Sequence, residues 1–128
     1  MNDLNQSKMR HCATWLLLLS LVACGGGVGE VNDDGSLVTV DGVDITTAVD
    51  KTNLYDITIN GTKDDVTIAP KNTVLTMTIS GTNNDVVISP NATVNNIVLN
   101  GVDNTLHLPV GYYPTISQSG TGNSVVHQ

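Results

Sequence analysis

The stretch Gly81-Thr82-Asn83-Asn84-Asp85-Val86-Val87-Ile88-Ser89-Pro90 recurs in altered form twenty residues to either side. Upstream it reads Gly61-Thr62-Lys63-Asp64-Asp65-Val66-Thr67-Ile68-Ala69-Pro70, and downstream Gly101-Val102-Asp103-Asn104-Thr105-Leu106-His107-Leu108-Pro109. Each copy is a glycine turn followed by a short run in which apolar and polar residues alternate. Such alternation is the mark of a strand with one buried face. Proline then closes the run, where a missing N–H does least harm.

Working outward, glycines 42, 61, 81, 101 and 120 are spaced by 19, 20, 20 and 19 residues. Four residues before them stand Val38, Ile57, Met77, Ile97 and Ile116; two before stand Val40, Ile59, Ile79, Leu99 and Gln118. Thr39, Thr58, Thr78, Val98 and Ser117 lie between, in the outward phase. Three residues after four of the glycines come Asp64, Asn84, Asn104 and Asn123. Counting back by the same offset suggests a third short side built on Leu54, Val74, Val94 and Tyr113. Tyr113 would then point in and Tyr112 out, where it could be a contact point, or both would pack at the last rungs.

A fixed period of this length means stacked repeats. A propeller blade needs about 40 residues, and a leucine-rich repeat needs leucines at its own spacing. The reading is an all-β fold, a small parallel β-helix (β-solenoid) of five coils over residues 37–128, with the five glycines on one line. A β-sandwich, also built from short strands at regular spacing, is the alternative. The composition agrees with a narrow repeating core. Phe is absent and aromatics are 3% of the 128 residues, while Val, Ile and Thr supply slim side chains that stack on themselves.

The first residues have a different character. Lys8 and Arg10 precede an apolar run from Ala13 to Ala23, eleven residues long. A bilayer takes about 20, so the run reads as a secretory signal peptide over residues 1–23. Met9 is an alternative start. Leu21-Val22-Ala23-Cys24 resembles the lipobox of bacterial lipoproteins. That resemblance implies acylation of Cys24, a palmitate-bearing membrane anchor and loss of residues 1–23. Gly25, rather than Asp, follows the cysteine, which in Gram-negative lipoproteins favours the outer membrane. A plain signal peptide with an incidental cysteine is the competing reading. Residues 24–36, rich in Gly and Asp, read as the lipidated cysteine and a flexible linker. The repeat motif, most openly Gly120-Thr121-Gly122-Asn123-Ser124-Val125, also resembles an uncharacterised family of bacterial secreted and lipid-anchored proteins, catalogued as a domain of unknown function. That likeness implies a β-solenoid and an exported address, and no activity.

Charge and residue counts narrow the function. Cleavage before Cys24 leaves three lysines, no arginine and eleven acids, net −8. Nucleic acid is therefore not an expected partner. Cys12 leaves with the leader and Cys24 would carry lipid, so no thiol chemistry is expected. The acidic turn residues Asp64, Asp65, Asp85 and Asp103 are the candidate ligands for a hard cation such as Ca²⁺, or the edge of a glycan-binding surface. Good turn chemistry explains them equally well. A glycoside-cleaving pair would need two carboxyls facing across a cleft, and every turn here is short. His107 has an outward phase and no companion for a triad. The expectation is a non-catalytic structural or interaction module without a cofactor. Its partners would be the membrane, through the lipid, and another copy or protein at the C-terminal rung, where Gln118 softens the core.

Overall fold

The computed structural model describes residues 21–23 and 27–128. It is a β-solenoid of two parallel-stranded sheets facing each other across one apolar core. The first sheet contains β1 (Leu21–Ala23), β4 (Thr46–Val49), β6 (Asp65–Ile68), β8 (Asp85–Ile88), β10 (Thr105–Leu108) and β12 (Ser124–His127), in that spatial order. The second contains β2 (Val28–Asp33), β3 (Leu37–Val43), β5 (Tyr55–Ile59), β7 (Thr73–Ile79), β9 (Thr93–Leu99) and β11 (Thr115–Gln118). From β3 onward the chain visits the two sheets alternately, so each coil adds one strand to each.

Register follows the repeat. Val66, Val86, Leu106 and Val125 are successive partners in the first sheet, and Ile57, Met77, Ile97 and Ile116 in the second. The central members are fully buried, and burial lapses to partial at Ile116 and Val125 in the last coil. A parallel strand sends its N–H and C=O groups to its neighbours, about 4.8 Å away. Like apolar residues therefore lie one above another in columns.

Left-handed residues make the corners. Asp44, Lys63, Asn83, Asp103 and Gly122 all have φ between 54° and 72°, each just before the inward turn position. Lys71, Asn91 and Gly111, at 68°, 68° and 84°, turn the opposite corner. Asn, Asp and Gly accept this conformation at least cost, which explains their abundance. The glycines of the repeat meet a different demand. A Cβ on Gly61, Gly81, Gly101 or Gly120 would strike the carbonyl oxygen of the preceding glycine in the line. Close stacking, not φ alone, excludes a side chain there.

Two features depart from the sequence reading. The third side is continuous with the second sheet: Val74 and Val94 are buried register partners as expected, and they lie on β7 and β9, which run on into the inward columns. Tyr55, not Leu54, pairs with Val74 and is buried, while Leu54 and Tyr113 are exposed. The cause is the pair of 19-residue intervals. The register shifts between Tyr55 and Ile57, so counting back from Gly61 crosses a missing residue and lands one too early. Counted from its left-handed corner residue, Tyr112 takes the place of Ala92, and its ring turns toward the core. In each short coil a side chain replaces the absent backbone. Thr76 N donates to Asp56 Oδ1 at 2.9 Å. Val94 N donates to the Tyr112 hydroxyl at 2.6 Å, and that hydroxyl donates to Val94 O at 2.8 Å.

The segment expected as a linker over 24–36 is also partly structured. β2 pairs antiparallel with β3 from Val28↔Val43 to Asp33↔Val38, and Val31 is buried over the first coil. Alternation was masked in the sequence by the glycines and acids around Val28 and Val31. Asp33-Asp34-Gly35-Ser36 is a turn whose carboxylates accept Gly35, Ser36 and Leu37 N–H groups. β1 pairs antiparallel with β4 by Leu21↔Val49 to Ala23↔Thr47.

Replacing Tyr112 by Phe should strip both Val94 backbone groups of their partner and cost about 1–3 kcal/mol in urea unfolding. Tyr113→Phe, at a side chain 78% exposed, should change stability by less than about 0.5 kcal/mol.

Candidate functional site

The polar residues brought together by the fold form a ladder inside the turn corner. Asp64, Asn84 and Asn104 are at most 1% exposed, and Asn123 continues the column at the last coil. The left-handed residue before each swings its side chain inward. Each side-chain oxygen then accepts a backbone N–H from the preceding coil. Ile45 N donates to Asp64 Oδ1 at 2.8 Å, Asp64 N to Asn84 Oδ1 at 2.9 Å, Asn84 N to Asn104 Oδ1 at 2.9 Å and Asn104 N to Asn123 Oδ1 at 3.0 Å. The amide nitrogens complete the pattern. Asn84 Nδ2 donates to Gly61 O at 3.0 Å, Asn104 Nδ2 to Gly81 O at 3.0 Å and Asn123 Nδ2 to Gly101 O at 3.1 Å. Gly42, Gly61, Gly81, Gly101 and Gly120 therefore stack beside Asp64, Asn84, Asn104 and Asn123, and the two columns share hydrogen bonds.

Asp64 is the irregular rung. Its Oδ2 is buried and has no hydrogen-bond partner. Burial raises its pKa above the ordinary 3.8, the bond from Ile45 N opposes that, and the Asp44, Asp41 and Asp65 carboxylates add to the rise.

The four acidic candidates do not converge. Asp64 faces the core, whereas Asp65 and Asp85 are Cα partners on the outer face of the first sheet, and Asp103 is an exposed corner residue. Asp85 instead has a histidine neighbour: His107 Nε2 lies 2.8 Å from Asp85 Oδ1, off the direction of a good hydrogen bond. His107 Nδ1 is 3.1 Å from Gln128 Oε1. Among the described residues no group of three or more His, Cys, Asp or Glu side chains could hold a metal ion. Cys24, the expected lipidation residue, lies outside the described residues.

A second buried polar group was not foreseen. Lys51, 8% exposed, places Nζ 2.5 Å from Asp33 Oδ1 and 2.9 Å from Gly35 O, with the Tyr55 ring centroid 5.3 Å away. Tyr55 donates to Asn72 Oδ1 at 3.0 Å, and the same oxygen accepts Lys51 N at 2.7 Å. Burial raises the Tyr55 pKa, with Asp33 and Asp50 adding to the effect, so the phenol keeps its proton. This brace ties β2 to the corner after β4. Its only trace in the sequence is position: Asn72 and Ala92 both follow a left-handed corner residue by one. No family model matches the chain, and neither a curated protein nor a solved structure does.

What this arrangement does chemically is hold coils together. Asn104→Ala should leave Asn84 N without its buried partner, while Gly81 O keeps the Val102 N–H, and cost about 1–3 kcal/mol. Asp65→Asn, on the exposed outer face, should stay within about 0.5 kcal/mol by the same urea midpoint.

Proposed function

We propose that the chain is a lipid-anchored bacterial envelope protein whose solenoid serves as a non-catalytic structural or interaction module. The observation that carries this reading is Leu21-Val22-Ala23-Cys24 at the end of a short apolar run behind Lys8 and Arg10. The likeness of the repeat to an exported, lipid-anchored family supports it, and Gly25 after the cysteine favours the outer membrane. The polar residues of the interior also support it, because the asparagines of the turn column are spent on the backbone ladder rather than turned toward a ligand. Maturation would also remove β1 and free the edge of β4.

The expected partner at the C-terminal rung is, on this reading, a second copy. β11 and β12 end their sheets, and no described strand lies on their outer edges. Sheet edges are ordinarily guarded by charge or proline. Residues 104–128 contain no Asp, Glu, Lys or Arg, in a chain of net −7. Pairing C-terminal rung to C-terminal rung would join two neutral edges and keep the acidic first coils apart.

Expression in a Gram-negative host with labelled palmitate should yield a labelled protein in the membrane fraction. Cys24→Ser should abolish the label and release the protein from the membrane; unchanged label and fractionation would overturn the lipoprotein reading. In light scattering the protein should show a dimer that dissociates on dilution. Ser117→Lys, which puts charge on the outer face of β11, leaves the core untouched. That substitution should cut dimer formation at least tenfold.

A further inference from the structure

Asp64 occupies a place built for asparagine. In the three following coils the outer side-chain atom is an amide nitrogen that donates to a glycine carbonyl of the preceding coil. For Asp64 the corresponding carbonyl belongs to Gly42. Both Asp64 Oδ2 and Gly42 O crowd the space over Gly61 where a Cβ would stand. Gly42 O already accepts Thr62 N at 2.8 Å, and Oδ2 has no donor at all. Two acceptor oxygens thus face each other in a site closed to water. A hydrogen on Oδ2 turns one of them into a donor and reproduces the asparagine pattern.

We propose that Asp64 is a proton-operated latch on the first coil. With Oδ2 protonated, it donates to Gly42 O and completes the ladder. Ionised, it opposes the Gly42 carbonyl and loosens the coil on which β2 is paired, since Gly29 and Gly42 are register partners. The proposal does not depend on the lipid anchor.

The charged groups around the site act in one direction. Asp41 of β3 and Asp44 of the corner approach from the preceding coil, and Asp65 from its own. Glu30 of β2 is the exposed partner of Asp41. The next coil presents neutral Asn84, and Lys63 in the same corner is exposed. The folded-state pKa therefore lies above 3.8, the ordinary value for an unfolded Asp. The folded state holds this proton more tightly than the unfolded chain. Stability consequently falls as pH rises from 3.8 through the folded value, and then levels off. Asp34 has the opposite sign. Leu37 and Ser36 N–H groups lower its pKa, so its contribution is lost on acidification. Comparing the protein with Asp64→Asn cancels that contribution.

The test is a carboxyl-carbon NMR titration of the unaltered protein, with thermal melts of it and of Asp64→Asn across about pH 3 to pH 8. The Asp64 midpoint should lie above 3.8. The variant's Tm should match the unaltered protein's at the acid end and exceed it by about 4–8 °C at neutral pH. A midpoint at or below 3.8, or a Tm difference that does not change with pH, would overturn the latch. Calcium is the control: a Tm increase in the unaltered protein that Asp64→Asn abolishes would show that a cation, not a proton, bridges the two oxygens. If the variant fails to fold, the NMR midpoint decides.

Discussion

A parallel coil cannot satisfy its own backbone. Every strand N–H and C=O points along the stack, so each coil depends on the next for its hydrogen bonds and on both neighbours for its buried face. That dependence explains why the residues recur as they do. Val and Ile columns stack inside, Thr and Ser lie outside, and glycine stands where two coils come closest. The corner asparagines extend the same logic to side chains. A corner leaves the ladder and would orphan backbone groups, and Asn restores one acceptor and one donor per coil.

Stacking also explains which parts of the fold were legible in the sequence. The glycine spacing, the two inward columns and the Asp64–Asn123 column could be read because the central coils are identical in length. The errors occur where a coil is one residue short. Counting from Gly61 misassigned Leu54 for Tyr55, and counting from Gly120 put Tyr113 in the core instead of Tyr112. No periodicity reveals that a side chain can stand in for a missing backbone group, as Asp56 and Tyr112 do. β2 was hidden for a related reason. It runs antiparallel to β3, outside the repeat, and its one buried residue, Val31, sits among Gly and acidic residues.

Departures from the repeat gather at the first two coils. Asp64 replaces Asn in the ladder, Lys51 and Asp33 form a buried ion pair, and β2 joins with reversed polarity. A buried pair of this kind gains little over apolar packing, yet losing one partner strands the other charge. It therefore fixes where β2 docks more than it strengthens the core. The last coil is the converse: neutral, half-buried at Ile116 and Val125, and tied to the coil before it by the Tyr112 hydroxyl on Val94.

This polarity has a consequence for orientation once Cys24 is lipidated as proposed. β2 begins at Val28, so only Gly25, Gly26 and Gly27 separate the cysteine from the folded domain. Four residue steps span at most about 14 Å. Such an anchor would hold the first coil near the headgroups and leave the neutral C-terminal coil further out. The first coil also carries Glu30, Asp33, Asp34, Asp41 and Asp44. An anionic leaflet would repel these acids. The same leaflet concentrates protons at its surface as it does other cations. Asp64, one coil further out but bonded to Ile45 N of the first coil, would lie near that surface, which would favour its protonated form and a complete ladder.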